Sequence, residues 1–170
     1  MTGDRIYSRY RSPIGEYILV AEGGALTEIR YHVDTENAGV EAPDDVLLKA
    51  VSDWLDGYFA GTIHEFPFGT IPLRPIDETP FRHNVWKVMC TIPWGETISY
   101  GGLAELVARR TGRRSAARAV GNASGANPIP IIIPCHRVIG ADGSLTGYGG
   151  GLDRKKWLLR HEGAIEEDLF

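Results

Sequence analysis

Residues 131–140, IIIPCHRVIG, set a cysteine beside a histidine directly after an apolar run. A thiol becomes a strong nucleophile when an adjacent base or a nearby positive charge favours the thiolate. A free cysteine is most often a small buried hydrophobe. Here, however, His136 and Arg137 follow Cys135 at once, and polar residues belong to a site or to the surface. Neighbours in an extended segment point to opposite faces, so Cys135 and His136 need a turn or a bridging water to act together. His161-Glu162, near the end of the chain, offers a carboxylate able to orient His136. Cys90, within WKVMCTI, lies on an apolar helical pattern and reads as core packing. Two cysteines without CxxC spacing provide neither a disulfide framework nor a zinc motif. His32, His64 and His83 are weak ligands alone, and no metal is expected. The glycine-rich GSLTGYGGGL has neither GxGxxG spacing after a strand nor a P-loop lysine. It reads as a loop that lets backbone approach a ligand, with Tyr148 as a wall.

The elements that must carry these residues fall into two parts. RIYSRYRSPIGEYILVAEGGALTEIRYH alternates apolar and polar residues and breaks at Ser12–Gly15 and Gly23-Gly24, which predicts a small antiparallel sheet. In PDDVLLKAVSDWLDGYFAG, Val46, Leu47, Val51, Trp54, Leu55, Tyr58 and Phe59 recur at helical spacing, with Asp44 or Asp45 as cap and Gly61 as stop. The proline-dense FPFGTIPLRPIDETP reads as an extended linker and domain boundary. Beyond it, Thr79-Pro80 opens a helix with Phe81, Val85, Trp86 and Met89 on one face. SYGGLAELVARR, starting near Ser99, and RSAARAVGNASGA predict two more helices around RRTGRR, the layout of a helix-turn-helix. A helical hairpin packed within the domain is the commoner arrangement, and Arg109, Arg110, Arg113 and Arg114 tilt the balance toward DNA phosphates. A short buried strand is expected over Ile131–Ile133, and a last helix from Asp153 to about Glu162. The expected class is α+β: a small N-terminal antiparallel sheet domain with a helix over 1–75, and a helical C-terminal domain with a winged helix-turn-helix over 76–170.

Composition narrows the partners. The 170 residues are 43% hydrophobic and 24% charged, ordinary for a globular protein. No apolar run reaches the length of a membrane helix, and MTGDRIYSRYRSPIG lacks the core of a signal peptide. A cytoplasmic, nucleoid-associated location is expected, with no membrane partner. The net charge of −4 conceals an asymmetry: residues 1–80 carry −8, residues 81–170 carry +4, and the stretch 82–160 carries +8. A basic half of this kind suits a polyanion.

IPIIIPCHRVIG with ISYGGLA, AARAVGNASGANPIP, TGYGGG and WLLRHEG resembles the O6-alkylguanine-DNA alkyltransferases, closely over 79–163. The N-terminal part is similar in layout only, a ribonuclease H-like one. The resemblance implies direct-reversal repair: O6-alkylguanine is flipped from duplex DNA and its alkyl group moves irreversibly to the protein's own cysteine, once per molecule and without a cofactor. It implies Cys135 as acceptor, His136 as base acting through a water, and Glu162 as the group holding the imidazole. It implies Asn127 as the brace of the turn before the active site and Tyr100 as donor to the leaving guanine. Arg118 would fill the space left by the flipped nucleotide. Ser99, Ala117, Ala119 and Gly121 would meet DNA on the recognition helix or its approach, with Arg113 and Arg114. Tyr148 and Gly149, Gly150 and Gly151 would form the pocket lip, and the carbonyls of Cys135 and Val138 would accept from the exocyclic amine. The link ARRTGRR is longer than the family layout implies, and is expected to add phosphate contacts. The closing EEDLF resembles short peptides that bind the replication sliding clamp, although a disordered acidic end is the commoner case. A monomer is expected. The alternatives are a non-repairing alkyltransferase-like damage sensor, which resembles this family but lacks the cysteine; a winged-helix regulator; and a Cys–His hydrolase that would turn over many times.

Overall fold

The computed structural model describes residues 4–166. The chain divides into two units after Ile76.

In the first unit, β1 (Arg5–Ser12), β2 (Gly15–Glu22) and β3 (Ala25–Arg30) form an antiparallel meander. Ser12 closes the first turn, its Oγ accepting from Ile14 N at 3.1 Å and donating to Gly15 O at 2.6 Å. β2 lies centrally, and Tyr17, Ile18, Leu19, Val20 and Ala21 are all buried, so both faces of this strand are covered. A fourth short strand, β4 (Val40–Glu41), joins the far edge parallel to β1, which makes the expected antiparallel sheet mixed. Gly39 permits that approach. Its φ is +90°, and a Cβ there would stand 1.8 Å from Arg5 O.

α1 (Val46–Ala60) is capped by Asp45, whose carboxylate accepts from Leu48 N, and ends at Gly61 in the left-handed conformation, φ +75°. The buried stripe is Leu48, Val51, Trp54, Leu55 and Tyr58. Val46, expected on this face, is exposed, because the i, i+3, i+4 progression starts at Leu48. The expected linker is not free of the sheet. Leu26 N donates to Pro72 O and Arg74 N to Leu26 O, so the chain around Leu73 runs beside β3 despite its prolines, which spare the amides used.

In the second unit, Thr79 Oγ caps α2 (Pro80–Met89), and Val85, Trp86, Val88 and Met89 are buried. Phe81, expected with them, is exposed in the first turn. Cys90 is the C-cap rather than a core position, and is half-buried. Then come β5 (Ile98–Ser99), α3 (Tyr100–Thr111) and α4 (Ala117–Gly125). Trp86 Nε1 donates to Ala123 O at 2.8 Å and pins α2 to α4. A single 3-10 turn, Cys135–Arg137, leads into β6 (Val138–Ile139), and α5 (Leu152–His161) closes the unit. β5 and β6 pair in parallel, Ile98 with Val138 and Ser99 with Ile139, so the start of α3 lies against the exit of the cysteine turn.

Candidate active site and DNA-contact face

Ile131–Ile133 is a buried turn, not the expected strand. Pro128, Pro130 and Pro134 remove the amides a ladder needs. Ile131 takes φ +72°, a conformation that costs a β-branched residue about 1–3 kcal/mol. Asn127 holds this path in place. Its Nδ2 donates to Ile133 O at 2.7 Å and its Oδ1 accepts from Ile129 N at 3.0 Å. The turn delivers Cys135 and His136 on a 3-10 bend, so their side chains are not thrown to opposite faces as in extended chain.

His136 is fully buried, and its Nε2 lies 2.7 Å from Glu162 Oε2. Glu162 is the C-cap of α5, one residue past the helix. Arg137 grips the same carboxylate through Nε at 2.7 Å and Nη2 at 3.0 Å, and its Nη1 donates to Ile92 O at 2.6 Å. Burial would raise the Glu162 carboxyl, but His136 and Arg137 outweigh it and hold the group well below the usual carboxylate range. Burial, helped by Arg137 and Lys155, outweighs Glu162 at His136 and pushes the imidazole down toward neutrality. A carboxylate only accepts, so a neutral His136 carries its proton on Nε2 and leaves the Nδ1 lone pair open. Nδ1 is buried and has no hydrogen-bond partner among the described residues. Burial raises the Cys135 thiol, against the opposing effects of Asn127 and Lys155. The resting sulfur is therefore a thiol that needs a base.

Ser99 caps α3, its Oγ accepting from Gly102 N at 3.0 Å. Tyr100 follows, and its hydroxyl donates to Thr146 O at 3.1 Å. Tyr100, Ala117, Arg118, Gly121, Asn122, Thr146 and Gly147 line an open cavity of about 400 Å³, large enough for a flat heterocycle. Gly121 lies against the Tyr100 ring, where a Cβ would stand 3.3 Å from Cδ1. Ala117, Arg118 and Ala119 are exposed, as are Arg109, Arg110, Arg113 and Arg114 around the turn from Gly112 to Ala116. Arg110 Nε reaches Asn84 Oδ1 at 3.3 Å, and none of these arginines has a carboxylate partner among the described residues.

Tyr148 is half-buried beside the glycine lip, where Gly151 N donates to Tyr148 O at 2.9 Å. The expected acceptor carbonyls are both engaged: Cys135 O by Val138 N, and Val138 O by Lys155 Nζ at 2.7 Å. Cys135, Val138, Tyr148, Gly149 and Gly150 are not among the residues lining the cavity. Among the described residues no group of three or more His, Cys, Asp or Glu could hold a metal, and no helix is long and apolar enough to cross a membrane. Thr146, Asn122 and Lys155 were not singled out in the sequence, and Arg137 was noted only as a polar neighbour of Cys135, without its role at Glu162. Lys155 had a signal: it falls at i−3 and i−4 from Leu158 and Leu159, the buried face of α5.

Two family models match the chain: 6-O-methylguanine DNA methyltransferase, DNA binding domain, over 80–164, and the ribonuclease-like domain of the same enzyme over 6–75. This chain belongs to the 6-O-methylguanine DNA methyltransferase family. It is 46% identical over 158 residues to a methylated-DNA–protein-cysteine methyltransferase of Mycobacterium bovis, covering 92% of this chain and 91% of the relative. It is 53% identical over 140 residues to the protein of that name from Shigella flexneri, covering 82% and 75%. Among solved structures it is similar to O6-methylguanine methyltransferase of Mycobacterium tuberculosis, with a TM-score of 0.81, 42% identity and 97% of each chain covered. The Mycobacterium tuberculosis protein solved in complex with DNA gives a TM-score of 0.81 and 44% identity over 94% of this chain and 93% of that one. In family terms, α3 and α4 lie within the DNA-binding domain, as does the cysteine turn.

Proposed function

We propose that Cys135 is the acceptor in the family's reaction, activated by His136 and Glu162. The chain is a methylated-DNA–protein-cysteine methyltransferase that repairs DNA by direct reversal. The observation that carries the residue assignment is the buried chain of groups around Cys135: Glu162 on His136 Nε2 at 2.7 Å, and the Nδ1 lone pair left without a protein partner beside the thiol's own turn.

An alkyl group on O6 of guanine lies within the base stack, so the nucleotide must leave the duplex, which costs a few kcal/mol. Arg118, exposed on α4, takes the space left in the stack and offsets part of that cost. The extruded base enters beside Tyr100. His136 removes the Cys135 proton through a water. The S–C bond forms as the C–O6 bond breaks, the bonding pair leaves with the guanine, and the guanine gains a proton. Tyr100 gives up its bond to Thr146 O and donates to the base as this charge develops. The product thioether is not cleaved, so each molecule acts once. Ser99, Ala117, Ala119 and Gly121 form the close approach to DNA, with Arg113 and Arg114 on flanking phosphates. Tyr148, Gly149 and Gly150 close the lip over the base, and Val138 O takes its exocyclic amine on its second lone pair.

The test is mass spectrometry after incubation with O6-methylguanine duplex. One added methyl on the Cys135 peptide, never exceeding one equivalent, is the expected result. Binding without any label would instead describe a damage sensor, and repeated turnover a hydrolase. The protein acts as a cytoplasmic monomer, checked by light scattering of the free and DNA-bound chain and by fractionation. The sliding-clamp contact falls on EEDLF, whose residues 167–170 lie outside the described residues. A clamp pulldown with and without 166–170 tests it.

A further inference from the structure

Glu162 stands one residue past the end of α5, so its reach to His136 depends on how that helix end is held. One short segment, residues 92–96 between α2 and β5, meets this end of the site at three points. Ile92 O accepts from Arg137 Nη1 at 2.6 Å, and Arg137 in turn grips the Glu162 carboxylate. The next four residues, Pro93, Trp94, Gly95 and Glu96, form a tight turn, closed by Glu96 N donating to Pro93 O at 3.1 Å. Gly95 takes φ +81° at the third place of that turn, a left-handed position that glycine fills. The turn packs on the helix end: a Cβ at Gly95 would stand 3.1 Å from Glu162 O. Trp94 meets His161, the last residue of α5, with ring centroids 5.3 Å apart and planes at 68°. Trp157, one helical turn earlier, stacks on the same imidazole at 4.8 Å and 20°. Stacked and edge-to-face rings have preferred geometries, so His161 is oriented by one partner on its own helix and by another from the distant turn. The three rings are half-buried, and none of them lines the cavity beside Tyr100.

We propose that Trp94 is a positioning residue for alkyl transfer: through its ring contact with His161, the 92–96 segment fixes the end of α5 and so holds Glu162 on His136 Nε2. This inference rests on Cys135 being the acceptor and on His136 and Glu162 being its activating pair. Arg137 fixes Glu162 at the carboxylate, and the turn fixes it at the backbone. Both holds trace to one segment, at Ile92 and at Trp94 with Gly95. An imidazole whose carboxylate partner shifts loses its preference for a proton on Nε2, and Nδ1 is then no longer reserved as the base. Reacting groups tolerate little displacement, since a misplacement of about 1 Å slows a reaction by about 10²-fold.

The test compares Trp94→Ala and Trp94→Phe with wild type in single-turnover transfer from O6-methylguanine duplex. Trp94→Ala should lower the saturating rate about tenfold and leave the half-saturating DNA concentration within about twofold of wild type. Trp94→Phe, which keeps a ring for His161, should restore the rate. The second readout is the His136 tautomer, taken by heteronuclear NMR of histidine-labelled protein without DNA. Wild type should carry its proton on Nε2 alone, and Trp94→Ala should show a mixture. A merely structural tryptophan would lower the melting temperature and move neither the tautomer nor the rate of the folded chain. A folded Trp94→Ala chain with the wild-type rate or the wild-type tautomer therefore overturns the proposal. So does a loss confined to half-saturation, or one that Trp94→Phe does not restore. If Trp94→Ala does not melt cooperatively, Trp94→Leu, apolar but without a ring, takes the same comparison under the same criteria. A wild-type chain that accepts no methyl overturns the acceptor role of Cys135 instead, and the tautomer comparison, which needs no transfer, still decides the role of Trp94.

Discussion

Glu162 is shared between two donors: His136 Nε2 reaches its Oε2 at 2.7 Å, while Arg137 takes Oε1 at 2.7 Å and Oε2 at 3.0 Å. The guanidinium keeps the carboxylate charged, and the charged carboxylate fixes the imidazole tautomer that leaves Nδ1 basic. Glu162→Gln removes the charge and leaves Arg137 buried without its anion. Stability should fall by about 3–5 kcal/mol, the usual cost of breaking a buried pair. Transfer at 25 °C should slow by about 10²-fold or more as the base is lost. Thermal melts and single-turnover rates measure the two effects separately, and a transfer rate unchanged in the folded variant would remove Glu162 from the mechanism.

Acid should unfold this site in two overlapping stages. His136 is held neutral in the folded protein, with its pKa lowered by burial, so the unfolded chain binds the extra proton first. Stability therefore falls as pH drops below about 6.5, the imidazole's ordinary value. Glu162 is also lowered, so its contribution is complete above its unfolded value of about 4.3 and is lost as pH falls further. Denaturant midpoints between pH 8 and 4 should decline steadily from below pH 6.5, and a flat profile down to pH 5 would contradict the neutral imidazole.

Tyr100→Phe should slow transfer from duplex DNA by about 10–100-fold while leaving the melting temperature nearly unchanged. The hydroxyl's partner, Thr146 O, retains Lys155 Nζ at 3.1 Å and stands near solvent, so the fold loses little. Rapid-quench rates against binding titrations make the check, with the loss expected in the rate.

Replacing Arg109, Arg110, Arg113 and Arg114 with alanine should weaken duplex binding and flatten its dependence on salt. Each lost phosphate contact removes about 0.9 from the slope of log affinity against log salt. Transfer from free O6-methylguanine base should stay as in wild type, because the cysteine turn is untouched. A slope equal to wild type would exclude the turn between α3 and α4 from the DNA interface.

Cys135→Ser should take no label yet still bind alkylated duplex, by gel shift, with affinity within about threefold of wild type. The sulfur lies on a turn held by Asn127, which bonds Ile133 and Ile129 backbone and does not need the thiol.

Local chemistry was legible wherever one short segment decides the outcome. Asp45, Thr79 and Ser99 cap helices because each is a short polar residue ahead of an amide two or three positions on. Gly61 and Gly112 end helices in the left-handed conformation that other residues avoid. Alternation of apolar residues located β1 to β3, and the cysteine with its neighbours led to the family. Apolar content misled at Ile131–Ile133, where three β-branched residues suggest a strand. The prolines around them and the Asn127 bridge impose a turn instead.

The chain's order of residues was enough to reach the family and its repair reaction, because the motifs that carry the resemblance are short and local, and through that resemblance it put forward Cys135 and His136 as nucleophile and base. Folding alone decided which distant groups meet. His136 and Glu162 are 26 residues apart, Lys155 and Val138 are 17 apart, and β5 reaches β6 only across the whole helix-turn-helix. Such pairs leave no periodic trace. They arise because burial excludes water from Glu162 and Lys155, and a buried charge must then find its partners wherever the packed core supplies them.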